Sequence, residues 1–166
     1  MHLRLLRHAK SDWGNAAQAD RERGLNTRGH RAAPNMGRAL SRRLAPQTIH
    51  VSPAQRAQLT LAGLCEGWPE MAAVPHLTTE NLYSFSYRDL VDWIVKQPGA
   101  QDLFLVGHNP AFTDLINWCC ADNVISHLPT AGYAELVVTI EQWSALEPGC
   151  GELVYSLFPR ELQEPQ

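Results

Sequence analysis

The chain has 166 residues, 45% hydrophobic and 19% charged, the composition of one ordinary globular domain. Fourteen Lys and Arg against seventeen Asp and Glu leave a formal charge of −3, which excludes a nucleic-acid binder driven by a basic excess. The start, Met1-His2-Leu3-Arg4-Leu5-Leu6-Arg7, lacks a secretory apolar stretch, and no run approaches the ~20 apolar residues of a membrane span. Cys65, Cys119, Cys120 and Cys150 show neither C-x-x-C nor paired zinc spacing, and the adjacent pair sits in an apolar stretch that suits buried free thiols. The expectation is a single domain over 1–166, soluble and cytoplasmic, with no nucleic-acid or membrane partner.

Residues 2–7 alternate and read as a short strand ending at Arg7-His8. Residues 9–26, with Gly14, Asn15 and Gly24 among polar neighbours, form a long loop. Thr27 caps a predicted helix to about Leu44 whose apolar Ala33, Met36, Ala39, Leu40 and Leu44 fall near helical spacing. Pro34 implies a later start or a kink. Thr48–Ser52 reads as a strand stopped by Pro53, followed by a helix over 54–66. A short strand over 72–76, a loop to Tyr83 and a helix over 86–97 come next, closed by Pro98-Gly99. Asp102–Gly107 is nearly continuously apolar, as in a strand covered on both faces. Pro110 opens a helix to about Ala121, and strands over 133–140 and 153–158 complete the chain. Gly149-Cys150-Gly151 reads as a turn. The alternation predicts an α/β three-layer sandwich with a mostly parallel sheet.

In such sheets ligands gather beyond the carboxyl ends of the strands. Three predicted strand ends carry residues of catalytic type: Arg7-His8, Ser52 leading to Arg56, and His108-Asn109. Dinucleotide and P-loop signatures are missing, as are the serine elbow, an arginine six positions after any cysteine, and zinc-protease or aspartate-rich metal motifs. Histidine and arginine are what converge. Guanidinium forks match phosphate oxygens, and a neutral imidazole can attack phosphorus and hold the phosphoryl group covalently. Phosphoryl transfer depends mainly on in-line positioning and cationic clamping.

Leu6-Arg7-His8-Ala9-Lys10-Ser11 resembles the R-H-G or R-H-A signature of the histidine phosphatase superfamily. Ser52-Pro53-Ala54-Gln55-Arg56-Ala57 is similar to its S-P-x-x-R-A segment, and Gly107-His108-Asn109-Pro110 to its G-H-x-P segment. The L-R-H-A-K-S form, the Leu25–Gly29 segment and the short length resemble the SixA-type phosphohistidine phosphatases. The resemblance spans about residues 3–132 and implies a phosphoglycerate mutase-like fold. It makes His8 the phosphorylated nucleophile and Arg7, Arg56 and His108 the phosphate pocket, with Asn109 and Ser52 as supporting phosphate-binding neighbours. Larger branches of the superfamily place an acid in the loop after the third strand. Glu80 stands there as the candidate general acid, although an imidazole leaving group needs less assistance than an alkoxide.

The expected activity is a cofactor-free and metal-independent phosphatase. By resemblance its substrate is phosphohistidine on a phosphotransfer protein, with inorganic phosphate as product. A phosphatase for small phosphorylated metabolites is the alternative within enzymes, and a non-catalytic phospho-binding module is the alternative outside them. Seven of the twelve arginines lie between Arg21 and Arg43. They are either the solvated face of one helix or a basic rim that docks an acidic phosphoprotein.

Overall fold

The computed structural model describes residues 1–162. In chain order its elements are β1 (His2–Arg7), α1 (Thr27–Ser41), β2 (His50–Val51), α2 (Gln55–Gly67), α3 (Pro69–Ala72), β3 (Leu77–Thr78), α4 (Tyr87–Ile94), β4 (Leu103–Gly107), α5 (Ala111–Cys120), β5 (Tyr133–Val138) and β6 (Gly151–Leu157). They form one six-stranded sheet in the order β3-β2-β4-β1-β5-β6. β1 to β4 pair in parallel, while β5 and β6 add an antiparallel edge.

Period-two alternation separates the two faces. Leu3, Leu5, Leu103 and Leu105 pack with Leu90, Ile94, Phe112 and Leu115 of α4 and α5. Leu6, Phe104 and Val106 pack with Met36, Leu40, Leu61 and Leu64 of α1 and α2 on the other side. The result is the expected three-layer α/β/α sandwich. At the sheet's centre the carboxyl ends of β2, β4 and β1 lie side by side, the place where open α/β sheets bind ligands.

α1 and α2 cross almost backbone to backbone. A Cβ on Gly67 would overlap the Pro34 carbonyl oxygen, one on Gly37 the Leu64 carbonyl oxygen, and one on Gly63 would come within 2.7 Å of Ala33 Cβ. Pro34 therefore neither delays nor ends α1; the helix runs through it, with the small residues of α2 lying against that turn. Asn26, not Thr27, is the N-cap, its Oδ1 accepting from Gly29 N at 2.9 Å. The predicted strand over 72–76 is a correction. Pro69 starts a helical turn that buries Met71, and the strand comes later, at Leu77–Thr78. His76 locks that arrangement: its Nδ1 accepts from Ile49 N at 3.1 Å and its Nε2 donates to Met71 O at 2.8 Å. Cys119 and Cys150 are buried, and Cys65 and Cys120 are half-buried; all four are free thiols. Among the described residues no helix is long and apolar enough to cross a membrane.

Candidate active site

Each predicted strand end delivers its side chain to one cluster. His8 succeeds β1 and is 7% exposed; His108 succeeds β4 and is 1% exposed. Arg56 lies in the first turn of α2 and Ser52 just beyond β2, both buried. Arg7, the last residue of β1, is half-buried. The two imidazole rings stand 5.2 Å apart at 53°.

The hydrogen bonds decide the tautomers. His8 Nδ1 lies 2.7 Å from the Ala9 carbonyl, which can only accept, so Nδ1 carries the proton and Nε2 keeps its lone pair. Burial, aided by the charges of Arg56 and Arg7, holds His8 down at about 4 despite its bond to Ala9. At neutral pH its ring is uncharged. Arg56 Nη2 can only donate, so His108 Nδ1 accepts from it at 3.4 Å and Nε2–H donates to Ser52 Oγ at 2.7 Å. Burial, then the nearby His8 and Arg56, push His108 down to about 3.

Arg7 and Arg56 face the same space, and burial together with Arg56 lowers the Arg7 pKa. Arg7 Nη1 donates to Leu128 O at 3.0 Å and to His127 Nε2 at 3.2 Å, while its buried Nε has no partner among the described residues. Asn109 shares the Leu128 carbonyl, donating to it at 2.8 Å, and its Oδ1 accepts from Thr113 N at 3.1 Å. It thus braces the first turn of α5. The Asn109-Pro110 peptide is cis.

Sequence reasoning missed four contributors. Thr60 Oγ1 accepts from Ala9 N at 2.8 Å and donates to Arg56 O at 2.7 Å, tying the loop that begins at His8 to the helix that carries Arg56. Asp20, in a 3-10 turn of the 9–26 loop, takes Arg56: its Oδ2 accepts from Nη2 at 3.1 Å and its carbonyl from Nη1 at 2.7 Å. Burial opposes ionisation of Asp20, but hydrogen bonds from Tyr83 and Arg56 outweigh it and hold the carboxyl below its usual range. Tyr83 and the 48% exposed Phe85 form an aromatic wall, each ring 5.5 Å from His108. No motif spacing signals any of these; the only hint is that the long loop begins beside His8. Glu80 is 69% exposed at its side chain and accepts from Arg21 at 2.6 Å on the rim. The carboxylate that meets the pocket's cations is that of Asp20.

The profile of the histidine phosphatase superfamily (branch 1) matches residues 3–93, the span that contains Arg7-His8 and Arg56. The chain belongs to that superfamily. A Mycobacterium tuberculosis relative of this histidine phosphatase family member, the uncharacterized protein Rv1276c, is 31% identical across 93% of this chain and 100% of its own. Among solved structures, one from Agrobacterium tumefaciens assigned as phosphohistidine phosphatase SixA superposes with a TM-score of 0.79 at 25% identity, covering 95% of this chain and 97% of its own. The protein histidine phosphatase SixA complexed with tungstate superposes equally well, TM-score 0.79 at 18% identity, over 98% and 100% of the two chains. A mycobacterial glucosyl-3-phosphoglycerate phosphatase bound to VO3 shares the fold at TM-score 0.67 and 14% identity, over 93% of this chain and 97% of that one. Fold and family are those of a compact, SixA-type phosphatase.

Proposed function

We propose that the protein hydrolyses phosphohistidine on a phosphotransfer protein, through a phosphohistidine intermediate on its own His8. The observation that carries this is the neutral, buried His8, with its Nε2 lone pair free beside two guanidinium groups.

His8 Nε2 attacks phosphorus as the bond to the substrate imidazole breaks. The departing nitrogen takes a proton from solvent. Arg7 and Arg56 spread their donors over the equatorial oxygens, where the charge lies. Arg56 must leave Asp20 to do so. Ser52 Oγ can donate as well as accept, so the His108 ring can exchange tautomers and turn an Nδ1–H toward a phosphoryl oxygen. Water then attacks the phosphorus on His8, releasing inorganic phosphate and restoring the neutral ring. Imidazole is a better leaving group than an alkoxide, so little acid assistance is needed, and the ion-paired Asp20 supplies none in the state described. The four free thiols suit a reducing compartment, and the same proposal locates the protein in the cytoplasm.

Phosphate release from phosphohistidine and from p-nitrophenyl phosphate, with excess EDTA, tests this in wild type and His8→Ala. EDTA-resistant release that prefers the P–N substrate, together with a phosphoenzyme lost in His8→Ala, is the expected result. Retained turnover in His8→Ala overturns the mechanism. Faster ester hydrolysis overturns the substrate and points to a small-molecule phosphatase; no release from either substrate points to a phospho-binding module.

A further inference from the structure

We propose that a cationic groove beside the active site docks an acidic segment of the phosphorylated protein, a proposal that rests on the phosphohistidine reading above. Arg28 of α1 lines a cavity of about 290 Å³ together with Lys10, Thr130, Pro159 and Arg160. Arg28, Thr130, Pro159 and Arg160 also line an adjoining stretch of about 600 Å³ that reaches His127. His127 in turn accepts from Arg7 in the phosphate pocket. The two stretches therefore make one path from Lys10 and Arg160 to the phosphoryl site.

Topology puts this path at the catalytic end of the sheet. Lys10 is two residues beyond His8, Thr130 precedes β5 and Pro159 lies just past β6. Both edge strands are antiparallel to their inner neighbours, so the start of β5 and the end of β6 lie level with the carboxyl end of β1. No Asp or Glu lines either stretch among the described residues. In a chain whose formal charge is −3 this is a local concentration of one sign. It is a field that attracts an acidic partner and repels a basic one.

The path also carries apolar surface, including Val124, Ile125 and Phe158. A partner that presents carboxylates among apolar side chains fits it better than a nucleic-acid backbone, which offers phosphates alone. The occupant is thus a polypeptide segment rich in Asp and Glu that flanks the phosphorylated histidine.

Two labelled, unphosphorylated twelve-residue peptides, one Glu-rich and one with Gln at the same positions, separate docking from chemistry. By fluorescence anisotropy the Glu peptide binds wild type about tenfold more tightly at 50 mM salt, and the preference shrinks at 300 mM. Arg28→Glu/Arg160→Glu abolishes that preference. With the phosphohistidine forms of the same peptides, the double variant raises KM about tenfold for the Glu peptide, leaves kcat unchanged, and hydrolyses p-nitrophenyl phosphate at the wild-type rate. Equal binding of the Glu and Gln peptides, or a preference that survives the double variant, overturns the groove. Competition by poly(U) as strong as by the Glu peptide also overturns it, in favour of a nucleic-acid surface. Glu-peptide binding without any phosphohistidine hydrolysis keeps the groove and refutes the substrate; phosphohistidine hydrolysis indifferent to flanking charge does the reverse.

Discussion

Acidification should unfold this protein for a reason that lies in its active site. In an unfolded chain the imidazoles of His8 and His108 titrate near 6.5. In the folded chain burial keeps them uncharged down to about 4 and about 3. Both folded values lie below the unfolded one, so their contribution to stability is complete above pH 6.5 and is lost as pH falls toward about 4 for His8 and about 3 for His108. At pH 5 the folded rings are both still neutral, while the unfolded rings are almost fully protonated. At about 1.36 kcal/mol per pH unit for each proton, the step from pH 7 to pH 5 removes ~2 kcal/mol per ring and ~4 kcal/mol for the pair. That is a large share of the 5–15 kcal/mol typical of a domain. Urea denaturation monitored by tryptophan fluorescence at pH 7 and pH 5, in phosphate-free buffer, measures it against His8→Asn/His108→Asn. The buffer matters because a bound anion would itself stabilise the folded state. Wild type should lose about 4 kcal/mol more than the double variant. A difference below about 1 kcal/mol would show that these rings are not held neutral, and the case for His8 as an uncharged nucleophile would fall with it.

Thr60→Val should cost about 1–3 kcal/mol in the same assay, because it strands the buried Ala9 N–H, and should lower kcat by loosening His8. Gly67→Ala should cost at least about 1–3 kcal/mol by forcing α1 and α2 apart, which a thermal melt will register. Asp20→Asn should lower the inhibition constant of inorganic phosphate about fivefold, since Arg56 no longer pairs with a competing carboxylate; an unchanged constant refutes the competition. Phe85→Ala should raise KM for p-nitrophenyl phosphate about threefold with kcat nearly unchanged, because the aromatic wall beside His108 is lost.

Local signals in the chain carry the sheet's centre and the strand-end residues. β4 is a run of Leu, Phe and Val buried on both faces and β1 a Leu-rich strand interrupted by Arg4, and the residues just after such strands in an α/β sheet emerge at its binding edge. Arg7, His8, Ser52, Arg56 and His108 meet there for that reason. The segment over 72–76 is deceptive because its Ala and Val look strand-like, while Pro69 and the long-range bonds of His76 decide its shape. Asp20 is illegible for a related reason. It lies 36 residues from Arg56, and a polar loop has no periodicity to show which charge it will meet. Glu80 can be placed near the rim from its position in the chain, but its pairing with Arg21 across 59 residues cannot.

The glycine seam between α1 and α2 bears on how the candidate site can vary. Because main chain rests on main chain there, no side-chain rotamer can absorb a shift of α2. A slide of the helix that carries Arg56 would push on α1, whose Asn26 cap closes the loop holding Asp20. The helix that carries Arg56 and the loop that carries Asp20 therefore move as parts of one assembly. Substitutions elsewhere on the surface can retune charge without disturbing the placement of the Arg56 guanidinium beside His108.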